Sequence, residues 1–432
     1  MLLIYTHKIT PRVKYVFKQI CTRILGVPVS FTTVIEEFIA HDSLKMSYTR
    51  QPLSNEIFVR SNELLFEQGL SDIDITVLPW EDTKCFFPTG DKSAVPFDIF
   101  AASFYLISRY EEYLPHLKDE FGRYTAEESL AYKNNFLDQP VVDIWAYKFK
   151  AILQATYPDF SFPEQKYTVI PVIDVPMAYE YKLKGIMRTV GGTFKDFFTF
   201  KFRRLYERYS VLTGFKRDPL DNYKYIINKQ KASKYKFVFF FLLGDFSTYD
   251  KNINPQKQKF ISLIKHIADY CKIGIKTSFF ALTNLDLLKE EKTRMEGIIN
   301  NAIVGSRHSF SKVNLPESYR NLVELEIPED YTMGYVNHLG FRAGTCTPFL
   351  FYDVDFEVQT PLKIVPYQAL DFAFLKYHSL LDKQQSLKRL IKSIKNVNGT
   401  FVPVFHNYTF NKQERWKHFK TLFNIILDVK KK

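Results

Sequence analysis

The segment Tyr167–Tyr181 constrains the fold more than any other stretch of the chain. A run of apolar and β-branched residues is broken there by one carboxylate, Asp174, and then by Pro176. Such a run predicts a fully buried strand, and proline cannot continue its hydrogen-bond ladder. Asp174 is therefore expected at the carboxyl end of a strand, where the loops of α/β sheets and barrels converge on one crevice. The alternative is a carboxylate that caps the next turn or helix.

The length of the chain favours two domains. Its 432 residues are too many for one small core. Hydrophobic residues make up 46% and aromatic residues 16% of the chain, which indicates large buried cores and argues against disorder. Lys, Glu and Pro between Pro158 and Lys166 mark a boundary. We therefore predict a smaller α/β domain at residues 1–165 and a larger domain at 166–432.

The cysteines and the amino terminus indicate the compartment. Cys21, Cys85, Cys271 and Cys346 lie far apart, which fits neither a disulfide framework nor a zinc ribbon and favours a reducing environment. The first ten residues lack the features of a signal peptide, and no apolar run is long enough to span a membrane. The sequence thus predicts a cytoplasmic protein without a transmembrane segment.

The net charge of +12 raises the question of an anionic partner. No nucleic-acid motif accompanies the spread lysines, so we predict no nucleic-acid partner and favour solvated helix faces. An acidic glycan or a membrane surface stays open as a partner. The segment 182–236 is long for a connection and rich in Lys, Arg, Phe and Tyr, which predicts a helical lid or a surface for a protein partner.

Local patterns predict the main elements of the first region. Leu2–Tyr5 is a predicted strand, and Pro11–Leu25 and Val141–Thr156 are predicted helices. The strongest helix pattern covers Asp98–Tyr113, with Asp98 as its N-cap and an almost entirely apolar middle. This helix is expected to be buried on most sides.

The second region alternates strands with helices. The predicted strands are Thr168–Val175, Phe237–Leu243, Ile273–Phe280, Ala302–Gly305, Met333–Asn337, Gly340–Ala343, Leu362–Pro366 and Thr400–Phe405. The predicted helices are Gln256–Tyr270, Asp286–Asn300, Gln385–Val397 and Gln413–Val429. This alternation predicts a parallel sheet, and so many units favour a (β/α) barrel, complete or incomplete.

Polar residues stand at the ends of several of these strands. Asp245 either faces the crevice or caps the next helix. The neighbours Arg307 and His308 either bind an anion or a metal, or the histidine is structural. Asp330 begins a turn that leads into a predicted strand.

Two further residues suggest chemistry at the same edge. Arg342 lies between two glycines, which hold a guanidinium in a confined place, and burying it without a partner would be costly. We therefore expect Arg342 to pair with a carboxylate such as Asp174. His406 ends the last strand and suits proton transfer at neutral pH.

Taken together, these motifs resemble the polysaccharide deacetylase family of metal-dependent carbohydrate esterases, in the two-domain bacterial form common in Bacteroidetes. The motifs that carry the resemblance are Phe97–Tyr113, Phe121–Tyr124, the strand at Asp174, Asp330–Gly334, Gly340–Thr345 and Val404–Asn407. The resemblance implies a distorted (β/α) barrel and hydrolysis of N- or O-acetyl groups on a glycan. It also implies a divalent metal held by one Asp and two His, with Asp174 as base, Arg342 as the arginine that orients it and His406 as acid.

The positions that correspond to the metal ligands depart from the family pattern. Pro176 stands where the second aspartate of D-x-D belongs, Lys276 where a histidine belongs, and Ser309 at the other histidine, with His308 one position early. Proline has no ligand atom and a protonated lysine repels a cation. We therefore expect no bound metal, or zinc only if the site is active.

Three hypotheses remain open. The first is a deacetylase-like protein that has lost metal-dependent hydrolysis and keeps a crevice that binds an acetylated glycan. The second is an active deacetylase with a metal relocated to Asp245 and His308, or with a metal-free mechanism. The third is a scaffold of surface-polysaccharide assembly. The predicted substrate-binding residues are Lys276, Asp245, His308, Arg307 and Asp330.

Overall fold

The computed structural model of the protein describes residues 1–428. Its first sheet has four parallel strands within that range: β1 (Leu2–Tyr5), β2 (Val29–Thr32), β3 (Lys45–Thr49) and β4 (Ile57–Arg60). Their order is β2-β1-β3-β4. An antiparallel pair follows, β5 (Leu78–Trp80) and β6 (Thr83–Cys85). The predicted strand Leu2–Tyr5 is thereby confirmed.

The helices of this region cover the sheet with apolar faces. They are α1 (Pro11–Phe17), α2 (Ile35–Ala40), α3 (Ile99–Ile107), α4 (Leu130–Lys133) and α5 (Val141–Thr156). The π-helix Lys18–Ile24 continues α1 to nearly the predicted end. Asp98 caps α3 by accepting from the Phe100 and Ala101 amides at 3.0 Å, and every residue of α3 is buried, as predicted. This helix ends early because Arg109 adopts a left-handed conformation with φ +56°.

The second sheet is the scaffold of the candidate site. Its strands are β8 (Val172–Val175), β9 (Val238–Leu242), β10 (Lys272–Thr277), β11 (Ser306–His308), β12 (Glu329–Asp330), β13 (Phe349–Asp353), β14 (Val358–Ile364), β15 (Ala369–Leu370) and β17 (Pro403–His406). In the described chain their order is β13-β14-β12-β11-β10-β9-β8-β17-β15. All neighbours are parallel except β13 and β14. A separate parallel pair joins β7 (Thr168–Val169) to β16 (Thr400–Phe401).

One bent segment contacts both ends of the parallel part of this sheet. Residues 358–370 pair with β12 through β14 and with β17 through β15. Between these pairings, the Val365 amide donates to the Asp330 carbonyl at 2.8 Å and the Tyr367 amide donates to the Met333 carbonyl at 2.9 Å. The strands from β12 to β17 therefore curve around a common interior.

That interior has its own apolar cluster, distinct from the main core. It contains Val172, Val238, Phe240, Tyr331, Val365, Tyr367, Leu370, Val402 and Val404. Ile173 and Phe239 belong to the main core, which lies under the helices. Because successive side chains of a strand alternate between faces, Asp174 shares the inner face with Val172. The alternation brings this carboxylate to the carboxyl-terminal end of the interior.

The helices of the second region lie outside the strands or in the long segment after β8. They are α6 (Ile186–Phe198), α7 (Phe202–Leu212), α8 (Tyr223–Ala232), α9 (Gln258–Ala268), α10 (Leu285–Ile299), α11 (Glu317–Glu324), α12 (Leu380–Asn396) and α13 (Phe419–Ile426). The expectation that 182–236 is helical is confirmed. Val429, the predicted end of the last helix, lies outside the described residues. Within residues 1–428, no helix combines the length and apolar composition needed to cross a bilayer.

Several strand predictions were wrong. The predicted strand Ala302–Gly305 is placed too early, since β11 begins at Ser306. The predicted strands at 333–337 and 340–343 are parts of one loop, in which Met333, Tyr335 and Phe341 are buried without a ladder. Apolar side chains in this loop pack against the core, so their pattern reports burial and not strand pairing.

Candidate functional site

A buried charge cluster lies at the carboxyl ends of the inner strands, and Asp174 is at its centre. Asp174 Oδ2 accepts from Lys276 Nζ at 2.9 Å and from Arg307 Nε at 2.9 Å. Lys276 lies on β10 and Arg307 on β11, so three strands contribute. All three side chains are almost completely buried.

The cations of this cluster outnumber its central carboxylate. Burial by itself would raise the pKa of Asp174, but the charges of Lys276, Arg307 and His406 outweigh it and hold that pKa well below its usual range. Burial lowers the pKa of Lys276, and Arg307 adds to this effect, while Asp174 and Asp250 oppose it. Among the described residues, Asp174 Oδ1 has no hydrogen-bond partner, so one buried acceptor of this carboxylate is unsatisfied.

Arg307 is fixed by further contacts. Its Nη1 donates to the Tyr331 carbonyl at 2.6 Å and its Nη2 donates to Ser311 Oγ at 2.9 Å. The guanidinium carbon lies 4.6 Å from the centre of the Tyr367 ring. With all three nitrogens engaged and one face stacked, Arg307 holds Asp174 in a fixed position.

His406 completes the cluster from β17. Its Nε2 lies 3.6 Å from Asp174 Oδ2, and its Nδ1 lies 2.9 Å from Asp371 Oδ2. The His406 amide also donates to Asp371 Oδ2 at 2.7 Å. A carboxylate on Nδ1 fixes the ring and directs Nε2 toward the interior, which is the arrangement of an acid–base histidine.

Asp371 was missed in the sequence, although it carried a usable signal. It follows the apolar pair Ala369–Leu370 directly, as Asp174 follows Val172 and Ile173 within β8. The strand β15 was missed because it is only two residues long. Asp250 was also missed. It lies in a loop and accepts from the Phe279 amide at 2.9 Å, a position that no local pattern marks.

An aromatic wall leads from His406 to the surface. The imidazole stacks on the Tyr408 ring with 4.7 Å between centres, and Phe372 meets it edge-on at 5.4 Å. Tyr408 in turn contacts Trp416 at 5.5 Å. Tyr408 and Trp416 both line a surface groove of about 1530 Å³. The buried cluster therefore adjoins the groove through its histidine.

The groove is polar on both sides of this wall. Lys201 and Arg203 line one side of it, and Lys412 and Lys420 belong to the segment that carries Trp416. Burial lowers the pKa of Lys420, and the charge of Lys412 contributes. Charged side chains of both signs and aromatic rings thus line the same groove, as in sites that bind polar ligands with flat apolar faces.

The expected pairing of Arg342 with Asp174 is wrong. Arg342 donates from Nε and Nη2 to the two oxygens of Glu112 at 2.8 and 2.6 Å. Arg109 donates from Nε to the same carboxylate at 2.7 Å and from Nη2 to Glu111 at 2.8 Å. The amino-terminal region therefore supplies the partner of Arg342, and Arg307 takes the place beside Asp174.

The other predicted site residues lie apart from the cluster or bind elsewhere. Asp245 is 74% exposed at its side chain and pairs with Arg294 at 3.4 Å. Asp330 accepts from Tyr319 Oη at 3.2 Å and from Thr332 Oγ1 at 2.6 Å, so its oxygens are occupied.

His308 is buried and has a partner of its own. Its Nδ1 lies 2.7 Å from Thr277 Oγ1, whereas its Nε2 has no partner within residues 1–428. Burial lowers its pKa, with Lys276 and Arg307 contributing and Asp330 opposing. The structure gives Asp245 and His308 separate partners and does not bring them together around a common point.

The residues at the implied metal positions do not fit a divalent cation. The ammonium of Lys276 lies against Asp174 where a metal would have to sit, and Pro176 offers no ligand atom. Ser309 Oγ is directed to Asp250 Oδ1 at 3.5 Å. In the described part of the chain, no group of three or more His, Cys, Asp or Glu side chains is placed to hold a metal ion.

Comparisons with known proteins leave the function to be argued from this site. Residues 2–158 match a family model described as "Family of unknown function (DUF7033)". No curated protein matches the chain. One similar crystal structure is described as a "putative polysaccharide deacetylase from Mycobacterium smegmatis"; the TM-score is 0.39 and the identity 12%, over 63% of this chain and 87% of that one. A likeness of this size carries no argument about activity.

Proposed function

We propose that the protein is a polysaccharide deacetylase-like member of bacterial glycan metabolism that binds an acetylated glycan without metal-dependent hydrolysis. The observation that carries the proposal is the 2.9 Å contact between Lys276 Nζ and Asp174 Oδ2. The proposal includes a distorted (β/α) barrel at 166–432 and a smaller domain at 1–165.

The charges of the cluster support the loss of the metal. Lys276 and Arg307 already supply two positive charges to Asp174, so a divalent cation added beside them would be repelled. The carboxylate is stabilised without a metal, and a buried lysine with a lowered pKa remains beside it. This arrangement keeps the pocket folded and leaves no Lewis acid to polarise an acetyl carbonyl.

The aromatic wall supports a glycan as the ligand. Tyr408 is only partly buried and offers an aromatic ring of the kind on which a sugar ring packs, with Trp416 buried against it. The surrounding groove supplies charged donors for hydroxyl groups. Asp174 Oδ1 is an acceptor without a partner in the described chain, and a ligand that reached past His406 would satisfy it.

The test combines metal content, binding and turnover. Purified full-length protein is analysed for bound metal before and after incubation with zinc, and titrated calorimetrically with oligomers of N-acetylglucosamine while acetate release is followed. We expect saturable binding, no stoichiometric metal and no acetate. Tyr408→Ala should weaken binding roughly fivefold or more, whereas Tyr132→Ala on α4, at an exposed position, should not.

Two results would overturn the proposal. Stoichiometric, tightly held zinc would mean that the ligand positions have been assigned wrongly. A complete absence of binding to acetylated and deacetylated oligomers would remove the glycan from the proposal and favour a scaffold.

A metal-free hydrolase is the second candidate, and the pair Asp371–His406 favours it. The 2.9 Å contact on Nδ1 orients an acid–base histidine toward Asp174, while Lys276 and Arg307 are placed to stabilise negative charge. Acetate release by metal-free protein, abolished in both His406→Asn and Asp371→Asn, would establish this alternative. Equal release by the variants would exclude it.

A further inference from the structure

The helices α6 and α7 form a hairpin, residues 186–212, whose apolar side chains point into solvent. Met187 is 89% exposed, Phe198 71% and Phe200 80%, and Phe215, just after the hairpin, is 88% exposed. Soluble proteins expose single apolar residues, but a contiguous patch marks a binding surface. The exposed apolar side chains of the hairpin therefore indicate a binding surface.

The pattern of α6 is inverted relative to an ordinary surface helix. In α6, the residues Ile186, Val190, Phe194 and Phe197 recur at helical spacing on one face, and all of them are exposed. On the opposite face Asp196 is buried and forms an ion pair with buried Arg208 of α7. The ion pair thus joins the two helices, with Val211 of α7 also buried, while the apolar face of α6 turns outward.

The aromatic side chains gather at the tip of the hairpin. The Phe197 ring lies 6.1 Å from that of Phe202 across the turn, and Phe202 lies 6.1 Å from Phe200. Phe198 contacts Phe197 at 5.7 Å and Phe194 at 6.4 Å. Both helices therefore contribute to one projecting cluster.

The hairpin and the residues that flank it carry much of the net charge of the protein. Residues 182–217 contain ten Lys and Arg against Asp196 and Glu207, a net charge of +8 compared with +12 for the whole chain, and the hairpin itself contributes +4 of it. Lys195, Lys201 and Arg203 flank the aromatic tip, are exposed and form no salt bridge within residues 1–428. Exposed cations beside exposed rings are complementary to an anionic surface that also accepts apolar groups.

We propose that this hairpin docks on the surface of a bilayer that contains anionic lipids. Phenylalanines would enter the boundary between headgroups and acyl chains, and the flanking cations would bind lipid phosphates. A projecting tip fits a bilayer, which is apolar inside and anionic at its surface, whereas a protein partner would need a concave apolar pocket rimmed with acids. The inference is independent of the proposed activity.

Docking would also orient the groove beside His406. Lys201, Arg203 and Arg204 belong to the hairpin and line that groove. The mouth of the groove would then lie close to the lipid headgroups.

The test is sedimentation of the full chain with vesicles of phosphatidylcholine alone or mixed with phosphatidylglycerol, at low and high salt. We expect binding to the mixed vesicles that weakens at high salt. Phe198→Ser with Phe200→Ser should reduce that binding at least about tenfold, and Lys195→Gln with Arg203→Gln should do so at low salt. Leu381→Ser, which is 61% exposed on α12, is the matched control and should bind like wild type.

The proposal fails if wild type does not bind mixed vesicles at low salt, or if the double phenylalanine variant binds as well as wild type. Light scattering tests whether a second copy of the chain, and not a bilayer, covers the hairpin. A wild-type dimer that the phenylalanine variant converts to a monomer, without vesicle binding by either, would assign the face to a second copy and overturn the bilayer. Circular dichroism of each variant confirms that these exposed substitutions leave the fold intact.

Discussion

Replacing Asp174 by Asn should destabilise the protein strongly, because it removes the anion between two buried cations. Asp174 accepts from both Lys276 and Arg307 at 2.9 Å, and all three side chains are nearly inaccessible. Removing one partner from a buried ion pair costs about 3–5 kcal/mol. Asparagine keeps one acceptor but no charge, so we expect a loss of about 3 kcal/mol or more in the free energy of unfolding.

Removing Lys276 should cost much less. Lys276→Met leaves Asp174 paired with Arg307, so the buried pair stays neutral and only one hydrogen bond is lost, worth about 1 kcal/mol. In the Lys276→Met background, Asp174→Asn leaves only Arg307 without an anionic partner, whereas in wild type it leaves both Lys276 and Arg307 without one. The cost of Asp174→Asn should therefore fall by roughly 1–2 kcal/mol in the double variant.

Urea denaturation at pH 7 measures these differences, with tryptophan fluorescence and circular dichroism followed together as a test of two-state unfolding. Asp245→Asn is the matched control, since Asp245 is mostly exposed and should change stability by less than about 0.5 kcal/mol. An Asp174→Asn variant within about 1 kcal/mol of wild type, or a Lys276→Met variant less stable than Asp174→Asn, would refute the charge argument.

The stability difference between wild type and Asp174→Asn should depend on pH. The pKa of Asp174 is lowered in the folded protein, so its carboxylate contributes stability above the unfolded pKa of about 3.9 and loses it as the pH falls through the folded pKa. The difference between wild type and Asp174→Asn should therefore be constant from neutral pH down to about pH 4 and shrink only in stronger acid.

Three further substitutions test other parts of the structure by the same denaturation assay. Burial raises the pKa of Glu291 to about 7. As the pH rises from about 4.5 to 7.5, the free energy of unfolding of wild type should therefore fall by about 3 kcal/mol, whereas that of Glu291→Gln should not. Parallel pH profiles of the two proteins would contradict this. Burial alone would raise the pKa of Glu112, but the charges of Arg342 and Arg109 outweigh it and lower that pKa to about 2. Glu112→Gln should therefore reduce the free energy of unfolding by about 3 kcal/mol at pH 7, and a variant as stable as wild type would contradict this. Gly274→Ala would bring a Cβ within 2.6 Å of the Gly305 carbonyl and should cost about 1–3 kcal/mol, whereas Gly297→Ala, with open space in α10, should be neutral or stabilising.

The sequence could predict the edge of the sheet on which Asp174, Arg307 and His406 lie, because each stands at or near the end of a local apolar run. The strands β8 and β17 end at or beside Asp174 and His406, whereas Arg307 lies within β11, which begins just after the predicted apolar run 302–305. Parallel strands then bring the three ends to one edge without any further information. What the local pattern determines is thus the edge of the sheet on which a side chain lies.

The partners of these side chains could not be predicted in the same way. Glu112 lies 230 positions from Arg342, and nothing near either residue in the chain indicates that they meet. The expectation that a buried guanidinium pairs with a carboxylate is confirmed for Arg342, which pairs with Glu112. Arg307 is buried as well, and it pairs with Asp174. Which arginine receives Asp174 depends on the packing of the amino-terminal region.

The orientation of the hairpin is a second feature beyond local pattern. The spacing of apolar residues in α6 predicts an amphipathic helix but does not say which face turns inward. In the structure the buried pair Asp196–Arg208 holds the polar faces together, and this pair joins two helices. A pattern read along one helix cannot reveal a partner on another.

The motif Phe97–Tyr113 lies at the contact between the amino-terminal region and the second region. The motif that ends at Tyr113 carries Glu112, which holds Arg342, and Arg342 Nη1 reaches the Gly334 carbonyl at 3.3 Å. A Cβ on Gly334 would lie 2.6 Å from the Tyr367 ring, the same ring that stacks under Arg307. A series of buried contacts thus connects the amino-terminal region to Arg307, the arginine that fixes Asp174. Because each of these contacts is buried, the region and the charge cluster should unfold together, and a variant at Glu112 should disturb both.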